Sequence, residues 1–257
     1  MTRDGGGARG LAIAVRLVGG TVFLLALTAF IVDTVRDSAA DGPQVMPIDH
    51  EAATGSNGGA LHVLSGLPLY FTQGFSLDAA PSPLFQALDG AHDLEMIDST
   101  SSEALADARL LLMAHPRAQT AENLVALDDW VRGGGRLLLL ADPAFRGAGD
   151  LPSNMGPPPF FADTGLLDHW GLALEGPLTE GDAAVAAEAG ALLVTAPGRL
   201  VATGEACSVH DDGFRAECAI EQGRVTVLAD ADFAVREDAA GDDNRNALIT
   251  LLARLGR

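Results

Sequence analysis

Five polar side chains follow apolar runs at points where the strands of a sheet are expected to end. They are Ser65, His115, Asp142, Asp230 and Asp232. Because ligands of open α/β sheets bind beyond the carboxyl ends of the strands, these residues form the predicted ligand-binding site. Carboxylate and imidazole groups could also serve a hydrolase as general acid and base, with or without a metal ion. Each residue has a plainer interpretation too, since an Asp or His at a strand end often only caps a helix or fixes a turn.

Motifs that would specify one reaction are missing at these strand ends. No nucleophile elbow (Gly-x-Ser/Cys-x-Gly) and no Gly-x-Gly-x-x-Gly loop follows a predicted strand, and the chain contains no His-Glu-x-x-His sequence. The three glycines 133–135 follow a helix, so they are expected to end it rather than to bind phosphate. The acidic residues between Glu237 and Asp243 could bind calcium weakly, but they lack EF-hand spacing and are more typical of a solvated loop. The sequence therefore predicts no catalytic residue, no cofactor and no metal site.

The basic and acidic residues exclude several classes of protein. All 16 basic residues are arginine, and the formal net charge is −19. Without a lysine, the chain cannot form a lysine Schiff base or a Walker A phosphate site. An acidic surface of this size repels phosphate backbones, so no nucleic-acid partner is expected.

An apolar segment near the N-terminus predicts a membrane anchor over residues 11–33. The run from Leu17 to Val32 is uncharged, and Arg16 before it could reach the headgroups; a spanning helix needs about 20 residues. Arginines precede this run, so the positive-inside rule places residues 1–10 in the cytoplasm. In a bacterial cell, the following domain would then lie in the periplasm, anchored to the inner membrane by a single span. A cleaved signal peptide with a site near Ser38 is the alternative.

The rest of the chain predicts an α/β domain over residues 60–257, joined to the anchor by a flexible tether over 34–59. Continuous apolar strands, the first at Ala60–Ser65, alternate with amphipathic helices, one of which is expected to have Thr120 as its N-cap. A further helix is expected around Phe161–Trp170. This alternation is typical of a doubly wound, mostly parallel sheet covered on both faces. Residues 172–222 contain short strand-like runs broken by Gly and Asp, and they predict a small β insertion. No internal repeat is present.

The two cysteines are predicted to form a disulfide. Cys207 and Cys218 lie on opposite arms of an expected hairpin that turns at Asp212-Gly213. This placement makes them directly opposed, at the separation that a disulfide needs, and an oxidising periplasm would favour the bond. The alternative is a pair of small apolar side chains.

Two segments resemble a known family. Residues Ala108–Asp142 combine a strand ending in His-Pro, a helix ending in Trp-Val-Arg-Gly-Gly and a strand ending in Asp-Pro, and a later strand ends in Asp-Ala-Asp-Phe at Phe233. This pattern is similar to that of the membrane-tethered auxiliary proteins of gliding-motility-type ABC transporters. The resemblance implies a flavodoxin-like or class I glutamine-amidotransferase-like fold without amidotransferase catalysis, because His115-Pro116 and Asp142-Pro143 stand where that enzyme class carries its cysteine.

These observations lead to two functional hypotheses. The first is a non-catalytic auxiliary or binding domain, anchored in the membrane and facing the periplasm, whose partners are ABC permease and ATPase subunits. The second is an envelope hydrolase that uses the Asp and His side chains at the strand ends. The missing nucleophile motif favours the first.

Overall fold

The protein is described here from a computed structural model that covers residues 59–69, 80–147, 156–188 and 190–257. The predicted anchor (11–33) and nearly all of the tether (34–59) lie outside the described residues. Within the described ranges, no helix is both long enough and apolar enough to cross a membrane.

In the described ranges, the strands build one large sheet and two small ones. The strands are β1 (Ala60–Ser65), β2 (Asp93–Met96), β3 (Leu110–Ala114), β4 (Arg136–Leu140), β5 (Leu172–Glu175), β6 (Asp182–Ala187), β7 (Gly190–Thr195), β8 (Arg199–Ala202), β9 (Cys207–His210), β10 (Arg215–Ile220) and β11 (Gly223–Leu228). The large sheet has the order β2-β1-β3-β4-β11-β10-β9, and the two-stranded sheets pair β5 with β8 and β6 with β7.

The central sheet is mostly parallel, as predicted. Strands β2, β1, β3, β4 and β11 run in the same direction, whereas β10 and β9 are antiparallel to their neighbours. Every residue of β3 is buried, and so are the four leucines of β4. These strands are apolar at each position because both faces of the sheet are covered. The prediction of an α/β fold is therefore confirmed.

Five helices accompany the strands in the described ranges. They are α1 (Pro83–Ala91), α2 (Ala121–Arg132), α3 (Leu166–Trp170), α4 (Asp232–Val235) and α5 (Ala239–Leu255). Side-chain oxygens of Ser82, Thr120 and Asp238 accept backbone hydrogen bonds at the first turns of α1, α2 and α5. The helix expected around Phe161–Trp170 begins only at Leu166, after Gly165, whose backbone is in the left-handed conformation (φ 94°) rather than a helical one.

The region predicted as a β insertion, 172–222, divides between two locations. Strands β5 to β8 form the two small sheets, whose strands do not pair with those of the central sheet. Strands β9 and β10 instead extend the central sheet beyond β11. The sequence pattern showed short strands here but could not show which sheet they would join.

The disulfide between Cys207 and Cys218 is present. The two residues are direct partners in the antiparallel pairing of β9 with β10, and a 3-10 turn at Asp211–Gly213 joins the strands. The predicted pairing is confirmed.

Candidate functional site

Three aspartates meet at the carboxyl edge of the central sheet. Asp142 follows β4, and Asp230 and Asp232 follow β11, which is the parallel neighbour of β4. One carboxylate oxygen from each lies within 4.8 Å of the other two. All three side chains are buried, with exposed fractions of 0 % for Asp142 and Asp230 and 4 % for Asp232. The sequence placed all three in one predicted ligand-binding site, and the sheet brings their carboxylates together as a group, called here the aspartate cluster.

Backbone amides orient the Asp142 carboxylate. Its Oδ1 accepts a hydrogen bond from the amide of Ala144 at 2.7 Å, and its Oδ2 accepts one from the amide of Ala231 at 2.9 Å. The first bond closes a tight turn after β4, and the second joins the end of β4 to the end of β11. Asp142 therefore has a structural role whatever else it does.

The other two carboxylates are held in the same way. Asp230 accepts from the amides of Phe233 (2.9 Å) and Thr195 (3.2 Å). Asp232 accepts from the amides of Arg146 and Gly147, the latter at 2.5 Å. Hydrogen bonds from backbone N–H groups favour the ionised form of a carboxyl group. Each side chain is thus positioned as an acceptor.

Gly147 allows the close approach of its own loop to Asp232. A Cβ at this position would lie 2.9 Å from Oδ1 of Asp232 and 2.8 Å from Cγ2 of Val235. Both contacts are shorter than real Cβ atoms show, so a side chain here would push the loop off the carboxylate.

Burial raises the pKa of every carboxyl group in the cluster, and repulsion by Asp142 adds to the shift of the other two. Burial raises the pKa of Asp142 above its ordinary value. Burial and then the charge of Asp142 raise the pKa of Asp230 strongly. Burial, together with the charge of Asp142, raises the pKa of Asp232 to about 7, although amide hydrogen bonds from Arg146 and Gly147 oppose the shift. Strongly shifted carboxyl groups are more common at functional sites than elsewhere.

His115 lies beside the cluster at the end of β3. Its side chain is fully buried, and its Nε2 is 2.8 Å from the carbonyl oxygen of Pro158. The ring stacks on Phe145 with centroids 4.9 Å apart. Burial lowers the pKa of His115, which favours the neutral ring. Asp142 lies close enough for its charge to oppose this shift, and His115 in turn opposes the rise in the pKa of Asp142.

A stretch of the chain covers this edge of the sheet. The covering segment, residues 156–161, receives hydrogen bonds at Gly156 from the Arg117 guanidinium (2.7 Å) and at Pro159 from the Phe145 amide (3.0 Å). At its far end, the amide of Phe161 donates to the carbonyl oxygen of Asp142 at 2.6 Å. The covering segment therefore lies over the strand ends where a ligand of an open α/β sheet would bind.

Ser65, the remaining predicted site residue, serves a turn. Its hydroxyl accepts a hydrogen bond from the amide of Leu67 at 3.0 Å and contacts the carbonyl oxygen of the same residue. The structure thus brings the three aspartates together, places His115 beside them and leaves Ser65 to its local turn.

The sequence analysis missed two parts of the site. One is the set of amide donors at Arg146, Gly147 and Thr195, because backbone donors carry no signal in residue type. The other is the covering segment, because its sequence indicates only a loop rich in Gly and Pro. The sequence analysis did place the three carboxylates at one edge of the sheet, but it predicted no metal site there, whereas their oxygens lie within 4.8 Å of one another.

No family model matches this chain, and no curated protein matches it. Solved structures give only distant likenesses. A cytoplasmic protein from Salmonella typhimurium LT2 shares 13 % identity at a TM-score of 0.50, over 77 % of this chain and 100 % of its own. An exo-β-1,4-mannosidase from Opitutaceae bacterium strain TAV5 shares 12 % identity at a TM-score of 0.46, over 88 % of this chain and 39 % of its own. The chain thus spans about two fifths of that mannosidase, and no inference is drawn from this match. At 13 % identity, the likeness to the Salmonella protein extends to the fold alone.

Proposed function

We propose that this protein is a non-catalytic auxiliary domain that serves an ABC-type transport or envelope system by binding a protein partner. The observation that carries the proposal is the covered edge of the sheet. Where an enzyme with this arrangement of strands would admit substrate, the covering segment lies across the strand ends, and Asp142 and Asp230 have no exposed surface.

The hydrogen bonding of the site supports the same proposal. Each carboxylate of the aspartate cluster accepts backbone amides, and these bonds hold loops from different strands together. Ser65 hydrogen bonds within its own turn, and both cysteines are in the disulfide. Neither Ser65 nor the cysteines are therefore placed to act as the nucleophile that acyl transfer requires.

The finer parts of the proposal come from the sequence. The resemblance of Ala108–Asp142 to auxiliary proteins of gliding-motility-type ABC transporters supports the amidotransferase-like relationship and the ABC permease and ATPase partners. The apolar run supports an anchor over residues 11–33 in the bacterial inner membrane, with the domain in the periplasm. An acidic surface facing the periplasm fits a protein partner better than a nucleic acid.

One observation favours the alternative, an envelope hydrolase. The pKa of Asp232 is raised to about 7, and Asp142 and Asp230 are shifted in the same direction. A carboxyl group with a pKa near the working pH is suited to general acid–base catalysis. For a hydrolase to act here, the covering segment would have to move away from the strand ends.

Co-purification tests the proposal. The full-length chain, tagged and solubilised in mild detergent, is expected to bring down an ABC permease and its ATPase, both identified by mass spectrometry. A chain lacking residues 1–33 tests whether recovery depends on the anchor. Recovery of the full-length protein alone from the membrane would contradict the transporter assignment.

The Asp142→Asn variant separates the two functions. An auxiliary domain is expected to keep its partners when this carboxylate is neutralised, provided the variant remains folded. A hydrolase would lose its activity while the fold persists.

A further inference from the structure

In the described part of the chain, no arginine forms an ion pair with the aspartate cluster. Other buried charges there are paired: Arg215 contacts Asp211 at 2.8 Å, and Arg245 contacts Asp242 at 2.5 Å. Two guanidinium groups lie four residues from the cluster in sequence, and both are engaged elsewhere: Arg146 pairs with Glu180 at 3.3 Å, and Arg236 pairs with Asp182 at 2.9 Å. The charge of Arg146 opposes the rise in the pKa of Asp232 without neutralising the cluster. A buried charge without a counter-ion is strongly disfavoured, so three such groups within 4.8 Å need either protons or a cation.

The surrounding donors favour a cation over protons. The described hydrogen bonds to the three carboxylates come from backbone amides, which cannot accept a proton from a carboxylic acid. Carboxylate oxygens that accept an amide still have lone pairs free for a metal ion. The loops therefore hold one oxygen of each group within 4.8 Å of the other two as an acceptor, which is an arrangement that a divalent cation can bind.

His115 provides a second, independent indication of a ligand. A carbonyl oxygen only accepts, so the 2.8 Å contact with Pro158 requires the proton on Nε2. Nδ1 is then left with a lone pair. It is buried and has no hydrogen-bond partner, in a side chain with an exposed fraction of 0 %. An imidazole whose other nitrogen is fixed by a backbone carbonyl is oriented as metal-binding histidines are.

The size and chemistry of the site define the ligand. The three side chains are buried, and the covering segment lies over the edge, so an organic molecule has no access in this conformation. Carboxylate oxygens are the ligands that Mg²⁺, Ca²⁺ and Mn²⁺ prefer. We propose that Asp142, Asp230 and Asp232 bind one divalent cation of this oxygen-preferring class, beside the imidazole of His115. The cation joins the ends of β4 and β11 and fixes the loop that carries Arg146 and Gly147.

Mn²⁺ is the probe for this proposal. The full-length protein in mild detergent is treated with chelator, freed of it and titrated with Mn²⁺, and the free ion is followed by electron paramagnetic resonance. We expect one saturable ion per chain that Ca²⁺ or Mg²⁺ displaces. Saturation is also expected to raise the melting temperature by about 5 °C, since a ligand that binds only the folded state stabilises it.

Two variants locate the ion. Asp230→Asn is expected to weaken Mn²⁺ binding about tenfold or more, because it removes one charged oxygen ligand. Asp89→Asn is the matched control, since Asp89 is an exposed carboxylate on α1, and it is expected to bind as the unaltered chain does.

Either of two results overturns the proposal. The first is that the folded, unaltered chain takes up no saturable Mn²⁺ and keeps its melting temperature, a result that does not depend on whether Asp230→Asn folds. The second is that both variants bind Mn²⁺ equally well, which would place the ion elsewhere on the acidic surface. Neither measurement involves a partner protein, so a failure of the cation site would not contradict the proposed auxiliary function, and the reverse also holds.

Discussion

Asp142 accepts a hydrogen bond from the backbone amide of Ala231 at 2.9 Å, across a sequence separation of 89 residues. The bond joins the loop after β4 to the loop after β11, and it brings the carboxylates of Asp142, Asp230 and Asp232 within reach of one another. The geometry of the site therefore depends on this contact as well as on the pairing of the two strands.

Replacing Asp142 with Asn tests how much the contact stabilises the fold. Both carboxylate oxygens accept amides, so an Asn must turn its NH₂ group towards one of two buried donors. We expect the free energy of unfolding to fall by about 1–3 kcal/mol, the cost of an unsatisfied buried group. Urea unfolding in the presence of a chelator measures this without any contribution from bound metal. An unchanged stability would mean that the two hydrogen bonds contribute little.

Replacing Gly147 with Ala tests the close approach of its loop to Asp232. The new Cβ would lie 2.8–2.9 Å from Val235 and Asp232, so we expect a loss of about 1–3 kcal/mol. Gly90→Ala is the control, because a Cβ at Gly90 meets nothing within 4 Å and the residue lies in α1. That control is expected to gain about 0.4–1 kcal/mol, since alanine restricts the unfolded chain. Thermal unfolding of the two variants should therefore shift in opposite directions.

Asp128 is expected to stabilise the fold at neutral pH and to lose this effect in acid. Burial opposes ionisation, but hydrogen bonds from Arg132 (2.6 Å) and Trp170 (2.8 Å) outweigh it and lower the pKa of Asp128. A carboxyl group with a lower pKa in the folded state stabilises the fold above its unfolded pKa of about 3.9. That stabilisation is lost as the pH falls through the folded pKa.

The Asp128→Asn variant measures this contribution. Its free energy of unfolding should fall less between neutral and acid pH than that of the unaltered chain. Asp163→Asn is a suitable control, because Asp163 accepts hydrogen bonds from the backbone amides of Gly165 and Leu167 rather than from a charged side chain. Parallel acid profiles for the Asp128→Asn variant and the unaltered chain would contradict the assignment.

Removing the disulfide tests the hairpin of β9 and β10. The bond closes a short loop, with a sequence separation of 11. We expect the double variant Cys207→Ala, Cys218→Ala to lose about 2–3 kcal/mol, mainly through greater freedom of the unfolded chain. Denaturant unfolding of this variant should match that of the reduced, unaltered protein. Cation binding should persist, because Cys218 is paired with Val225 in the middle of β11, away from the end of that strand that leads to Asp230.

The local pattern was enough to predict most of the central sheet. The apolar run from Ala60 to Ser65 gave β1 with its observed bounds, and Thr120 marked the start of α2 correctly. The turn predicted from the sequence at Asp211–Gly213 was enough to predict the pairing of Cys207 with Cys218. These elements were predictable because their causes lie within a few residues of each other in the chain.

Other features depend on distant residues and were not predictable in the same way. β6, with its alanines and alternating burial, is a strand because it pairs with β7, and its own residues carry little strand preference. The pKa shifts of the aspartates likewise arise only after β4 and β11 are adjacent.

The adjacency of β4 and β11 also bears on how this protein can vary. Leu140 and Leu228 are register partners, so β4 and β11 lie side by side although a long excursion of the chain separates them in sequence. The covering segment, the two small sheets and the disulfide hairpin all belong to this one excursion. Insertions in its loops would leave the register of the parallel strands unchanged. Related chains that keep the backbone donors at Arg146, Gly147 and Thr195 could therefore hold the three aspartates on a constant frame while the rest of the excursion diverges to suit different partners.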